Sequence, residues 1–169
     1  MDSLFDALSV EVSAAGVRAV HLAGPPPADA GGGAGDPAGG RPAEDTLRRE
    51  TIRQLREYLQ GRRWSFDLPL DLGTATPFRT RVLDELRNIP FGETASYGEI
   101  GRRIGSGSPR AVGQAVGWNP LPIIIPCHRV VTTAGRLGGF SAGLPRKVAL
   151  LRLEGIPVSG ETFSSRIGS

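Results

Sequence analysis

The amino-acid sequence predicts an α+β protein made of two lobes, a small N-terminal lobe of strands plus one helix and a mainly helical C-terminal lobe. In residues 1–75, apolar and polar residues alternate on both sides of a single helical segment. Residues 76–155 carry several helix-capping signals in succession. We expect residues 156–169 to form a loose C-terminal tail.

The N-terminal lobe begins with a predicted β-hairpin, because ALSVEVS alternates, AAG makes a turn and VRAVHL returns. Residues 24–42 are rich in Gly, Pro and Ala, which predicts a flexible loop. The segment EDTLRRETIRQLREYLQG predicts a helix that ends at Gly61. Its apolar face is expected to contain Leu47, Ile52, Leu55 and Leu59. The alternation in WSFDLPLDL, residues 64–72, predicts a further strand.

Capping signals divide the C-terminal lobe into helices. The expected N-cap residues are Thr76, Ser96 and Ser108, and Glu99 completes a capping box with Ser96. The helices SYGEIGRRIG and PRAVGQAVG are short and are separated by a glycine-containing turn, which is typical of a helix-turn-helix. The isoleucines of PIIIP predict a short, fully buried extended segment, and LPRKVALLRLEG predicts a last helix.

Composition excludes several classes of protein. The single cysteine rules out an intrachain disulfide and fits a reducing compartment. One cysteine and two histidines are too few for a structural zinc site. No apolar stretch is long enough to predict a transmembrane helix, and the first residues are acidic where a secretory signal is basic. We therefore expect a cytoplasmic protein that is not associated with a membrane.

The basic charge is concentrated in the second half of the chain. Residues 1–75 contain 8 basic and 11 acidic residues, whereas residues 76–169 contain 12 and 6. Nearly all of the basic residues are arginine, which binds phosphate in a fork and stacks on bases. The distribution favours a nucleic-acid partner, although many basic domains bind none.

The stretch IIIPCHRVV places the only cysteine, Cys127, directly before His128. Neighbouring side chains of an extended segment point to opposite sides, so contact between them requires a water molecule or a turn. An apolar environment raises the pKa of a thiol, and a nucleophilic cysteine needs a base that a carboxylate orients. Glu93, Glu99 and Glu154 are the candidates, and the spacing does not choose among them. The alternative is a small core cysteine beside a histidine that bonds the backbone.

The stretch IPCHRVV resembles the active-site signature of the methylated-DNA–protein-cysteine methyltransferases, the 6-O-alkylguanine-DNA alkyltransferases. The blocks PFGETASYGEI, RAVGQAVGWNP, GGFSAG and KVALLRLEG are similar to this family in order and spacing, over most of residues 76–155. The N-terminal lobe is similar only in outline, to the family's ribonuclease-H-like domain. The resemblance implies DNA repair by stoichiometric transfer of an alkyl group from the 6-oxygen of guanine to the cysteine. It implies no cofactor and no metal.

The resemblance also implies a role for each catalytic residue. Cys127 would attack the alkyl carbon directly and remain alkylated, so that each molecule acts once. His128 would take the thiol proton, and Glu154 would polarise His128. Asn119 would fix the turn before the cysteine segment. Tyr97 would help the nucleotide rotate and donate a proton towards the leaving base.

The implied partner is double-stranded DNA that contains alkylated guanine, and the target base is flipped out of the duplex. The second helix of the helix-turn-helix would lie in the minor groove, with a steep dependence on salt. The expected DNA-binding residues are the intercalating Arg110, the small residues Ala111, Gly113 and Ala115, and Ser96 and Tyr97. The expected substrate pocket contains Val130, Ser141, Tyr97 and Pro122. We expect a monomer in the cytosol of a bacterium or archaeon, and we leave cooperative binding open.

The sequence departs from the family pattern at several positions. Phe140 replaces a common tyrosine, Ala142 replaces a common glycine, and Trp118 replaces a small, polar or basic residue. We expect Trp118 to pack against the protein. Two other functions remain alternatives: a lesion sensor that performs no chemistry, and a redox-regulated helix-turn-helix protein. The presence of Cys127 argues against the first, and the lack of a resolving cysteine argues against the second.

Overall fold

The structure is a computed structural model that describes residues 5–22 and 41–160 together with the backbone of 162–163. It divides into two compact units, Met1–Gly73 and Thr74–Ser169. Both strands and helices are present, as an α+β protein requires. Within the described ranges, no helix combines the length and the apolar character needed to cross a membrane.

The first unit is built on a β-hairpin, as predicted. Strand β1, Ser9–Ser13, pairs antiparallel with β2, Gly16–His21. Helix α1, Pro42–Leu59, packs on the hairpin and begins at the last residue of the predicted 24–42 loop. Residues 24–40 of that loop lie outside the described residues.

The buried face of α1 differs from the predicted one. Leu55 is buried as expected, whereas Leu47, Ile52 and Leu59 are only half-buried. The other buried residues of the helix are Thr51, Gln54 and Tyr58. Polar groups are tolerated there because they are hydrogen-bonded: Thr51 Oγ1 donates to the Leu47 carbonyl at 2.8 Å, and the Gln54 amide pairs with the backbone of residue 67.

The predicted strand at 64–72 is wrong. Among the described residues, the segment pairs only at an isolated parallel bridge between Leu70 and Val17. The side chain of Gln54 binds the backbone at Asp67, where a neighbouring strand would otherwise bind. Pro69 has no N–H group with which to continue a ladder. Trp64, at the start of the segment, is 62% exposed.

The described residues of the second unit form four α-helices, and their predicted starts are confirmed. They are α2 (Pro77–Arg87), α3 (Tyr97–Arg103), α4 (Pro109–Gly117) and α5 (Leu144–Leu153). The Thr76 and Ser108 hydroxyls accept from backbone N–H groups of the first turns of α2 and α4 at 3.3 and 3.2 Å. Ser96 and Glu99 form the predicted capping box of α3.

A short parallel bridge brings the start of α3 beside the cysteine segment. Strand β3, Ala95–Ser96, pairs with β4, Val130–Val131, so that Ala95 lies opposite Val130. Residues close to Tyr97 are thereby placed near residues just after Cys127, although about thirty positions of sequence separate them.

The start of the predicted loose tail is packed. Strands β5, Val158–Ser159, and β6, Thr162–Phe163, form a short antiparallel hairpin. Ile156 and Val158 are buried in a cluster with Leu137 and Leu151. The expectation of a loose tail is therefore wrong for these residues, because the two apolar side chains cover α5.

The isoleucine segment is buried as predicted, but it is a turn and not an extended strand. Ile125 N donates to the Leu121 carbonyl at 2.8 Å, and Pro122 bridges to Ile125. Ile123 at the turn has a φ of 76°. The 3-10 turn Cys127–Arg129, called the cysteine turn below, follows directly.

Candidate active site

The cysteine turn explains how adjacent residues can serve one site. Arg129 N donates to the Pro126 carbonyl at 3.0 Å, and Val130 N donates to the Cys127 carbonyl. Because the backbone turns here, the opposite-facing geometry of an extended chain does not apply. Cys127 is 4% exposed and His128 is fully buried.

Asn119 holds the segment that leads to the cysteine. Its Nδ2 donates to the Ile125 carbonyl at 2.9 Å, and its Oδ1 accepts from Leu121 N at 3.0 Å. Asn119 is itself buried. One side chain thus satisfies two backbone groups of the turn and fixes the chain just before Cys127.

Glu154 is the carboxylate that lies against the histidine. His128 Nε2 and Glu154 Oε1 are 2.7 Å apart, and both side chains are fully buried. Of the other two candidates, Glu99 is used in the capping box and Glu93 is exposed. Spacing could not identify Glu154, because 26 residues separate it from His128.

Arg129 completes a buried network around this carboxylate. Its Nε donates to Glu154 Oε2 at 2.9 Å, its Nη2 donates to Oε1 at 2.9 Å and its Nη1 donates to the Ile89 carbonyl at 2.6 Å. The Gly92 N–H donates to Glu154 Oε2 at 3.1 Å. Burial alone would raise the pKa of Glu154, but the bonds from His128 and Arg129 outweigh it and lower the pKa to about 2.

The ionised carboxylate fixes the tautomer of the histidine. A carboxylate only accepts hydrogen bonds, so His128 Nε2 carries a proton and Nδ1 carries the lone pair. Burial lowers the pKa of His128 below its ordinary value, although Glu154 opposes the shift. His128 is therefore neutral at physiological pH and able to accept a proton.

The resting thiol is neutral. Burial raises the pKa of Cys127, while a hydrogen bond from the Asn119 side chain and the charge of Lys147 act in the opposite direction. A base is therefore needed to generate the thiolate at neutral pH.

The Tyr97 ring lies between α4 and the loop 132–143, called the substrate loop below. A Cβ added at Gly113 of α4 would lie 3.8 Å from the ring, and one added at Gly138 would lie 3.2 Å from the ring and its hydroxyl. Burial, and then the nearby Cys127, raise the pKa of Tyr97. The phenol thus keeps its proton at neutral pH and can donate it.

The predicted DNA-binding residues are not all on one surface. Arg110 is exposed at the first turn of α4, and Ala111 and Gly113 are half-buried. Ala115 is 3% exposed, because the helical period places it on the core side. Ser96 is also buried, with its hydroxyl used as an N-cap. The predicted DNA contacts are therefore not supported by the positions of these last two side chains.

The predicted pocket residues differ in exposure. Pro122 and Val130 are buried, and Ser141 is exposed on the substrate loop. Phe140 and Ala142 are half-buried on either side of it. Trp118 packs as expected, with the Arg79 guanidinium 4.7 Å from the centre of its ring.

Sequence reasoning assigned no role to two buried basic residues, Arg129 and Lys147. Lys147 Nζ donates to backbone carbonyls of the substrate loop and of Val130. One signal could have singled it out, because it is the only lysine among 20 basic residues. Arg129 carried no such signal, since its partners at 89 and 154 are distant in sequence.

Comparison with protein families gives a match over residues 77–156. The matching family is described as the DNA-binding domain of 6-O-methylguanine DNA methyltransferase. A protein of Mycobacterium tuberculosis named methylated-DNA–protein-cysteine methyltransferase is 51% identical over 104 residues, which cover 61% of this chain and 62% of that protein. The chain thus spans about three fifths of the length of this relative.

Two solved structures from Mycobacterium tuberculosis are similar. The crystal structure of its O6-methylguanine methyltransferase is 34% identical, covers 87% of this chain and 91% of that chain, and gives a TM-score of 0.64. The crystal structure of its OGT in complex with DNA is 50% identical, covers 63% and 65% of the two chains, and gives a TM-score of 0.61.

Proposed function

The chain belongs to the methylated-DNA–protein-cysteine methyltransferase family, and we propose that it repairs DNA by moving an alkyl group from the 6-oxygen of guanine to Cys127. The observation that carries the proposal is the buried cysteine turn, in which the thiol precedes a histidine that is bonded to an ionised carboxylate. We further propose that the first unit has the ribonuclease-H-like arrangement of the family and that the protein acts in the cytoplasm.

The first chemical step is removal of the thiol proton. Since His128 uses Nε2 for Glu154, we assign the proton to Nδ1, directly or through a water molecule. The Glu154 carboxylate stabilises the imidazolium that forms, and Arg129 keeps that carboxylate ionised. The neutral resting histidine supports this role, because a protonated imidazole could not accept.

The second step is a displacement at carbon. A bond forms between Cys127 Sγ and the alkyl carbon while the bond between that carbon and the guanine oxygen breaks, and the electron pair passes into the base. Tyr97 can donate a proton towards the base, because the phenol is protonated at neutral pH. The thioether product has no route back, so each molecule acts once. The buried turn keeps bulk solvent away from the sulfur and aligns it, as a displacement requires.

The proposed substrate is duplex DNA. Flipping the target base out of the duplex leaves a gap in the base stack. Arg110 is exposed on the first turn of α4 and is suited to fill the gap. The excess of arginine in residues 76–169 would bind phosphates, so affinity should fall steeply with salt. The solved structure of the Mycobacterium tuberculosis OGT in complex with DNA supports this partner.

The proposal is tested by intact mass after incubation with excess duplex that contains O6-methylguanine. We expect a gain of one methyl group, about 14 Da, that saturates at one per chain and is absent in Cys127→Ser. The same duplex with unmodified guanine is the control. An unchanged mass with tight lesion binding would identify a sensor and overturn the transfer. An unchanged mass without lesion preference would remove the substrate assignment as well.

A further inference from the structure

Arg79 and Trp118 form a stacked pair to which neither the family resemblance nor the proposed chemistry assigns a role. The central carbon of the Arg79 guanidinium lies 4.7 Å from the centre of the Trp118 ring. Arg79 belongs to the first turn of α2, and Trp118 is the residue at which α4 ends. Both residues are half-buried. The pair therefore joins the start of α2 to the end of α4.

The ring holds Arg79 without neutralising its charge. A guanidinium stacked on an aromatic ring uses its flat face, so the N–H groups at its edge remain able to donate. The other two arginines of α2 are engaged by oxygen atoms. Arg81 donates to the Ile104 carbonyl, whereas Arg87 lies 3.9 Å from the Asp84 carboxylate. None of the ion pairs between the described residues includes Arg79.

Helix α4 carries a neutral segment between two arginines. Residues 111–117 contain no charged side chain, and a Cβ added at Gly117 would meet nothing within 4 Å. Arg110 is exposed at the first turn of the helix, and the stacked Arg79 lies at its other end. Arg110 and Trp118 are eight positions apart. That spacing corresponds to about 12 Å along the axis of a helix.

A backbone phosphate of DNA is the anion that fits the Arg79 end of α4. The grooves of B-DNA are about 6 and 12 Å wide, so a group about 12 Å from a residue in the base stack lies beyond the bases, at the phosphates. The carbonyl groups at the end of a helix carry a partial negative charge, which would repel a phosphate there. The Arg79 guanidinium offsets that charge, and its paired N–H donors match phosphate oxygens.

We propose that Arg79 binds a backbone phosphate of duplex DNA at the C-terminal end of α4, and that Trp118 is the positioning residue that holds Arg79 there. The inference rests on the proposed function in taking duplex DNA as the partner. It extends the DNA-binding surface from α4 to the start of α2. It also gives a role to Trp118, one of the positions at which the chain departs from the family pattern.

The first test measures binding to an undamaged duplex by fluorescence anisotropy, at salt concentrations from about 50 to 200 mM. Loss of one phosphate contact reduces the slope of log K against log salt by about 0.9. We expect Arg79→Gln to lose this amount of slope and to bind about five- to tenfold more weakly at about 0.1 M salt. Arg79→Lys should restore the slope, because it restores the charge. Arg56→Gln is the matched control, since Arg56 is an exposed arginine of the first unit, and it should bind as the wild type does.

The second test asks whether Trp118 acts through Arg79. Trp118→Phe keeps an aromatic face, whereas Trp118→Leu does not. We expect Trp118→Leu to weaken duplex binding about two- to fivefold, and Trp118→Phe to bind more tightly than Trp118→Leu. In a protein that already carries Arg79→Gln, Trp118→Leu should have no further effect on binding. Additive effects of the two substitutions would overturn the positioning role of Trp118.

A purely structural role of Arg79 predicts a different result. If Arg79 only neutralises the carbonyl end of α4, Arg79→Gln lowers the midpoint of thermal denaturation and leaves the salt slope at the wild-type value. That result would overturn the proposal, as would an equal loss of slope in Arg56→Gln. A wild-type protein that binds no duplex would overturn the DNA partner and this site together. Normal binding by the wild type with no effect of Arg79→Gln overturns this site alone, so the two failures are distinguishable.

Discussion

Replacing Glu154 by glutamine is expected to destabilise the protein by about 3 kcal/mol at neutral pH. The side chain is fully buried, and its pKa falls from 4.5 to about 2 on folding. A pKa that differs by one between the folded and the unfolded chain corresponds to about 1.4 kcal/mol, so folding favours the ionised carboxylate over a neutral one by about 3 kcal/mol. Glutamine keeps the shape but leaves the Arg129 charge buried without a counter-charge, and such a loss costs about 3–5 kcal/mol.

The stabilisation by Glu154 decreases as the pH falls. In the unfolded chain Glu154 takes up a proton below about pH 4.5, whereas in the folded protein it stays ionised down to about pH 2. The stabilisation is therefore complete above pH 4.5 and is lost as the pH falls towards 2. The difference between wild type and Glu154→Gln should shrink by about 1.4 kcal/mol for each pH unit below 4.5.

Urea denaturation at a series of pH values measures this difference. Trp118 fluorescence reports the unit that contains Glu154 when the exposed Trp64 is changed to phenylalanine in both proteins. Glu93→Gln is the matched control, because Glu93 is an exposed glutamate of the same unit. A difference that stays constant from pH 7 down to about pH 3 would refute the reasoning, since the charge would then contribute nothing.

Substitutions at three further positions test the geometry of the site. Gly138→Ala should cost about 1–3 kcal/mol in stability and slow alkyl transfer, because the position has a φ of 69° and the new Cβ would press on Tyr97. Gly139→Ala, where a Cβ meets nothing within 4 Å, should be mild in both thermal denaturation and transfer assays. Asn119→Ala should cost about 2–5 kcal/mol in urea denaturation, because it leaves two buried backbone groups unbonded, and the exposed Asn88→Ala should not. At Ile123, glycine should be better tolerated than alanine in the same assay.

The elements that sequence predicted well are those with local causes. The hairpin follows from alternation around a turn, and each of the helices α2, α3 and α4 starts at a capping side chain within three residues of its partner. The strand at 64–72 failed although its alternation was clear. There the deciding contacts come from Gln54, on an element that no local pattern connects to it.

The same distinction between local and distant causes applies to the residues of the candidate site. Cys127 and His128 were evident as neighbours, and the need for a carboxylate followed from their chemistry. Glu154 itself came only from resemblance, because 26 residues separate it from the histidine. Lys147 was missed because its partners are backbone carbonyls, which any residue supplies and no sequence pattern marks.

Ile123, just before the cysteine turn, shows how packing overrides a local preference for negative φ. A β-branched residue at a φ of 76° is strained by about 1–3 kcal/mol, yet Ile123 is 1% exposed, and truncating such a side chain costs about 2–5 kcal/mol. Burial therefore wins, and both Ile123→Ala and Ile123→Gly should destabilise. The order of stability of the two variants reveals the strain. Glycine normally destabilises a protein more than alanine does, by about 0.5–1 kcal/mol. Here glycine relieves the strain, so Ile123→Gly should be more stable than Ile123→Ala. Ile125 is also buried but has no positive φ, so Ile125→Ala should be more stable than Ile125→Gly. If alanine were the more stable variant at both positions, Ile123 would not have the strained positive φ of the structure.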